Sequence, residues 1–357
     1  MKRIALFIIS ISLSLVFAQT LIIEGEAERL EYDVEMLRSI SFCDLDSLSN
    51  TALSFHTVSG IRHICLEDID SLDLNDAGEV LIYHGDVITS FRRVDIEYID
   101  ITPVTLPDRQ EGARTGSEFM EDVSGTTFTE REPQILTEIL NGNMPDILRD
   151  FMTLSSTFQD ANGVNHMVEY DVMSDYLSIG NNEDYCRIPM GPKTAQQIAD
   201  AFGCILTTPK LCDDIWAHAT VHLNPIPYAP VGDNNSQVYK FVEHNTDINA
   251  ARELAGGRIG ELIAGIKKDV VICNALKTKP GYVAIYGWHY TNGTPIQPLY
   301  TGHVDWYVDY SHGIRLVNKV MRVDGVLMDA HDILKDPVLY KLLSYESGIM
   351  QQPAYAY

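Results

Sequence analysis

Three copies of one pattern occupy residues 21–101, and that periodicity constrains the fold more than any other feature of the chain. The copies cover residues 21–42, 53–74 and 81–101. Each reads as a strand, a turn, a second short strand, an acidic turn and a closing strand such as Ser71-Leu-Asp-Leu74. A unit of about thirty residues is too small to bury its own apolar face, so such units are expected to stack as a β-repeat module. They resemble the short Asp-Ile-Asp-Ser-Leu β-repeats near the N-termini of some exported bacterial proteins. The resemblance implies a spacer or adhesive role and no chemistry.

Before the repeats lies Met1-Lys2-Arg3, then an apolar run through Phe17, then Ala18-Gln19. The run is shorter than the ~20 residues a spanning helix needs and has the layout of a signal peptide ending near Ala18. The expectation is an exported protein, periplasmic, cell-surface or extracellular, with no stable membrane insertion after cleavage. A formal charge of −24 fits such a protein, and no basic run exceeds Lys267-Lys268. Nucleic acid is therefore not an expected partner, since phosphate neutralisation needs a basic face. No Walker or Rossmann fingerprint occurs, so no nucleotide cofactor is expected. Six cysteines leave open both disulfides, with Cys204 and Cys212 the nearest local pair, and free buried thiols.

Residues 102–116, rich in proline and glycine, read as a linker. Residues 117–350 then read as an α+β domain, helices first and a largely antiparallel sheet last. A capping box at Thr129-Glu-Arg-Glu132 and a helix from Pro145 are expected. So are a hairpin turn at Asp160-Ala-Asn-Gly163 and helices opening at Pro192 and Thr208-Pro209. Residues 115–348 resemble a family of uncharacterised exported bacterial proteins. The segments that carry the likeness include Thr115-Gly-Ser-Glu-Phe119, Lys267-Lys-Asp-Val-Val271, Val283-Ala-Ile-Tyr-Gly-Trp-His289 and Asp309-Tyr-Ser-His-Gly-Ile-Arg-Leu-Val317. No activity follows from that likeness.

Chemistry concentrates late in the chain. Residues 286–315 hold His289, His303 and His312, two of the three tryptophans, and Asp305, Asp309, Ser311 and Arg315. Groups so costly to bury unpaired mark a site more often than a core. Read as one strand, residues 303–311 put His303, Asp305, Tyr307, Asp309 and Ser311 on one face. His303 and Ser311 would then stand roughly 26 Å apart, too far to share a reacting centre. His289, Asp309, Ser311, His312 and Arg315 are the candidate catalytic set.

Three chemistries fit it. Ser311-His-Gly-Ile-Arg315 resembles the Ser-His-Gly-x-Cys-Arg signature of L,D-transpeptidases but lacks the nucleophilic cysteine, which Cys186 or Cys273 would have to replace. His289, His303 and His312 with Asp305 or Asp309 offer zinc ligands without a diagnostic spacing. A metal-free hydrolase would use His312 or His289 as base, Asp309 as its orienting partner, and Ser311 or water as nucleophile. The leading expectation is a hydrolase of an extracellular or cell-wall polymer, peptide or glycan. The alternative is a binding or adhesion protein in which the cluster is structural. His218, His222, His244-Asn245 and Lys267-Lys268 read as solvated.

Overall fold

The computed structural model describes residues 106–357, together with backbone strands and the side chains of residues 80–82 in the part before them. The expected signal peptide, and the connections and nearly all side chains of the three-copy repeat, lie outside the described residues. Cα proximity divides the chain into two units, Met1–Thr105 with Val326–Asp329, and Leu106–Gly325 with Ala330–Tyr357. The second unit carries the candidate site.

Six α-helices and mainly antiparallel sheets make up the described chain. Helices and strands are interleaved, which corrects the expected order of helices first and sheet last. The elements run α1 (Gly116–Asp122), α2 (Phe128–Leu140), β1 (Phe151–Gln159), β2 (Asn165–Met173), β3 (Ser178–Gly180), β4 (Tyr185–Arg187) and α3 (Pro192–Ala201). Then come β5 (Cys204–Leu206), α4 (Pro209–His218), β6 (Val221–His222), α5 (Val238–Leu254), β7 (Ile263–Ala264) and β8 (Lys268–Val270). β9 (Tyr282–His289), β10 (Pro295–Val304), β11 (His312–Gly313), β12 (Leu316–Asn318), β13 (Val320–Val323) and α6 (Ala330–Lys335) complete the unit.

Local chemistry explains most of these boundaries. Thr115 caps α1, accepting from the Glu118 amide while Glu118 accepts from the Thr115 amide at 2.8 Å. The box expected at Thr129 and Glu132 forms two residues earlier, where the Thr127 amide donates to Glu130 Oε2 at 2.9 Å. Glu132 is instead buried and accepts from the Gly191 amide. The helix expected from Pro145 is only a 3-10 turn, Asp146–Leu148. Asp160 folds its hairpin by accepting from the amides of Asn162 and Val164, with Gly163 at φ 83°. Thr208 Oγ1 accepts from the Leu211 amide at the start of α4, as the Thr208-Pro209 pair predicts.

One sheet places β1 on one edge of β2 and both β12 and β13 on the other, with β5 outside β12. Tyr170, Val172, Ile205, Leu316 and Val317 are buried in it. Burying an aliphatic side chain of this size stabilises by about 1.5–3 kcal/mol. The second sheet, ordered β10-β9-β8-β11, positions the candidate site. β8 is central. Its Lys268 lies opposite Gly287 and His312, and its Asp269 opposite Tyr286 and Gly313. Successive strand residues point to opposite faces, so Lys268 and Asp269 open onto different sides of this sheet.

The single strand expected over residues 303–311 does not form. β10 ends at Val304, Tyr307 N donates back to Val304 O at 3.0 Å, and Asp305 N donates to Gly281 O. The chain turns there, and only His312–Gly313 rejoins the sheet, beside β8.

Candidate functional site

The expected catalytic set divides into two clusters. Among the described residues, no hydrogen bond, ion pair or ring contact joins His289 to Asp309, Ser311 or His312.

His289 belongs to the cluster on the Asp269 side. Gly287 at φ 95° and Trp288 at φ 54° interrupt the strand just before it. A left-handed tryptophan is an uncommon backbone state, held here by its surroundings. The break cancels strand alternation, so Tyr286 and His289, three residues apart, reach one acceptor. His289 Nε2 lies 2.8 Å from Asp213 Oδ1 on α4, and Tyr286 Oη donates to the same oxygen at 3.0 Å. Tyr345 also bonds Asp213, and its phenol is raised by burial and by that carboxylate. A Cβ on Gly287 would lie 3.2 Å from His289 Cε1 and 3.4 Å from Asp269 Oδ2, so the glycine lets imidazole and carboxylate close together. Tyr176 Oη donates to Asp269 Oδ2 at 2.9 Å. Burial raises the Asp269 carboxyl to about 6, against the pull of Arg315 and the Tyr176 bond. The carboxylates, phenols and imidazole of this cluster are bonded to one another, leaving only the indole nitrogen of Trp216, which packs on His289, without a partner among the described residues, and that is the pattern of a structural network.

The second cluster lies on the Lys268 side. The turn at Asp305–Trp306 stacks His303 on Tyr307, centroids 4.5 Å apart, and the Tyr307 ring meets His312 edge-on at 6.1 Å. His303 therefore joins the neighbourhood that a straight strand would have denied it. Asp309 Oδ1 accepts from Ser311 N at 2.8 Å and Ser311 Oγ at 2.5 Å, and Oδ2 from Tyr307 Oη at 3.3 Å. Asp309 thus orients Ser311; its backbone carbonyl accepts from the His312 amide at 3.1 Å, but its carboxylate makes no hydrogen bond to the His312 ring. Burial alone would raise the Asp309 carboxyl, but His312, Lys268 and the Ser311 bonds outweigh it and hold it below the usual range.

His312 is the exceptional member. It is 1% exposed, and neither ring nitrogen has a hydrogen-bond partner. Burial lowers its imidazole to about 4, with Asp309 opposing and Lys268 assisting, so the ring is neutral near pH 7. Burial likewise lowers His303. The Lys268 ammonium sits 5.2 Å above the Trp288 ring, and Lys267, fully buried, donates to Tyr310 O at 2.5 Å. Burial lowers the Lys267 ammonium to about 7.

The remaining candidates are placed elsewhere. Arg315 is buried over the Tyr176 ring and donates to the carbonyls of Met173, Ser174 and Ile263, tying the end of β2 to β7. Asp305 pairs with Lys193 at 3.1 Å. His289, His303, His312 and Asp305 are therefore not gathered into a ligand set, and no group of three or more His, Cys, Asp or Glu among the described residues is arranged to hold a metal ion. Cys186, Cys204, Cys212 and Cys273 are buried and unbonded to one another. Burial pushes the Cys186 thiol up to about 12 and raises Cys273, so neither is a thiolate that could replace the missing nucleophile.

Several residues escaped the sequence reading. Lys267 and Lys268 read as a solvated turn, yet Lys267 is 1% exposed and Lys268 is half-buried. His244 and Asn245 read as exposed and are buried. His244 packs edge-on against Tyr228 and Tyr310, and Asn245 accepts from Arg187. His222 reads as solvated but bonds the Trp216 carbonyl at 2.8 Å, whereas His218 is exposed. The available signal for the lysines was their position immediately before an apolar strand start, Val270-Val271. No helix among the described residues is long and apolar enough to cross a membrane. Comparison with protein-family models, curated proteins and solved structures finds no match for this chain.

Proposed function

We propose that this protein is an exported hydrolase of an extracellular or cell-wall polymer, peptide or glycan, with His312 as general base and water as nucleophile. The observation that carries this reading is the buried imidazole whose two nitrogens have no partner beside the Asp309 carboxylate. A buried polar group left unsatisfied calls for an occupant, a water or a substrate atom. A neutral imidazole is also the correct state for accepting a proton. On a peptide, the water oxygen bonds to the carbonyl carbon as its proton passes to His312. The imidazolium is stabilised by Asp309, which Ser311 and Tyr307 hold in place. The proton then moves to the leaving nitrogen as the C–N bond breaks. Ser311 serves as a positioning residue, because its hydroxyl proton is committed to Asp309. Export rests on the basic start and short apolar run of residues 1–18, and cell fractionation with N-terminal sequencing of the mature protein tests it.

A second reading is polymer recognition without turnover. It is favoured by Trp306, 62% exposed, with Tyr300 and Tyr282 also exposed on or next to β9 and β10. Aromatic faces of this kind stack on sugar rings. One experiment decides between the two. Wild type and His312→Ala are assayed for both binding and cleavage of cell-wall peptides and polysaccharides. The hydrolase reading expects cleavage that the variant loses. Binding by both proteins with cleavage by neither establishes the second reading.

A further inference from the structure

We infer that Lys268, His303 and His312 form a docking site for a carboxylate carried by the substrate. This inference rests on the proposed hydrolase site and names what that site recognises. The argument begins with donors that have nothing to donate to. The Lys268 backbone amide donates to Ser311 O at 2.7 Å, but among the described residues its ammonium makes no ion pair and no hydrogen bond, only its contact with the Trp288 ring. In a chain of net charge −24 and fifty acidic residues, a half-buried ammonium that touches no carboxylate, and feels only the nearby charge of Asp309, is unexpected. The His303 ring touches Tyr300 and Tyr307 and makes no hydrogen bond. Both nitrogens of the buried His312 are unpartnered.

The three face one place. Lys268 and His312 are directly cross-strand, and both imidazoles feel the Lys268 charge. Tyr307 touches both rings. The carboxylate of Asp309 does not serve these donors, because it is engaged by Ser311 and Tyr307. Its charge does set a limit on the guest. Because Asp309 already offsets part of the Lys268 charge, a monoanion meets less repulsion here than a phosphate dianion, whose second charge would add to that of Asp309. A planar carboxylate accepting from Lys268 and from imidazole N–H groups meets these requirements. Two sources share that chemistry, a peptide C-terminus and a uronic-acid sugar.

The test is binding, read without turnover. Imidazole NMR signals of the full-length protein are followed while N-acetyl-alanyl-alanine is added, and in parallel its C-terminal amide. Glucuronate and glucose form the second pair. The expected result is that at least one acid shifts the His303 and His312 signals while its neutral counterpart does not. Lys268→Gln weakens that binding tenfold or more, and Lys268→Arg restores most of it. Whichever acid binds identifies the source. Equal responses to acid and neutral partner in both pairs, or unchanged acid binding by Lys268→Gln, would overturn the inference. Acid binding without any polymer cleavage would leave this site standing and remove the hydrolase. Cleavage of amidated and uncharged polymers without acid binding would do the reverse.

Discussion

His289 and His312 come from one short, histidine-rich stretch and sit two strands apart in the same sheet, on either side of β8. Their surroundings differ completely. His289 is tied to Asp213, which also receives Tyr286 and Tyr345, beside an Asp269 bonded to Tyr176. His312 is equally buried and bonded to nothing through its ring. Burial alone does not distinguish a structural histidine from a functional one. The difference lies in whether the folded chain has already supplied the partners.

The comparison is broken most directly by removing His312. His312→Ala is expected to lower hydrolysis by about 10²–10⁴-fold, the usual contribution of a general base, while costing only the ~2–3 kcal/mol of the cavity that a lost buried ring leaves. A variant that unfolds easily and keeps residual activity would move His312 into the structural class. Arg315→Met is the opposite case. It strands three buried carbonyls and is expected to cost upwards of about 3 kcal/mol in a denaturation experiment.

Acid offers the next largest effect. The folded His312 imidazole is lowered to about 4, and the unfolded one titrates near 6.5. Below the unfolded value the unfolded chain binds the proton first, so stability present above about pH 6.5 is lost as pH falls toward about 4. The loss is on the order of 3 kcal/mol, and urea midpoints for wild type and His312→Gln across that window measure it. The variant should show a shallower decline. On the paired side, His289→Ala is expected to cost about 1–3 kcal/mol by taking one partner from Asp213, which keeps Tyr286, without a specific change in substrate affinity. The smallest change is Tyr307→Phe. Loss of one long bond to Asp309 should cost about 0.5–1 kcal/mol and lower activity only a few-fold.

Local chemistry was readable in advance, and relations between distant segments were not. The Asp160 turn and the Thr208 cap depend on residues within four positions of each other, and both form where the pattern puts them. Asp213 meets His289 across 76 positions, and no spacing rule points to that pairing. The left-handed Trp288 that sends His289 to the other face leaves no compositional trace, since tryptophan is a poor residue for that conformation. Alternation suggested one strand through residues 303–311, but the turn at Asp305–Trp306 prevailed and brought His303 to His312. Lys267-Lys268 looked like a solvated turn because two lysines usually are one. Tertiary contacts with Tyr310 and Trp288 overrode that expectation.

An NMR titration of the His312 ring in the folded, full-length protein probes the central claim most closely. An imidazole that remains uncharged through neutrality, gains its proton only near pH 4 and moves when a small carboxylate is added is what an unpartnered reactive ring predicts. A ring that is already charged at pH 7, or that holds a fixed hydrogen bond in every condition, would mean that His312 is as structural as His289.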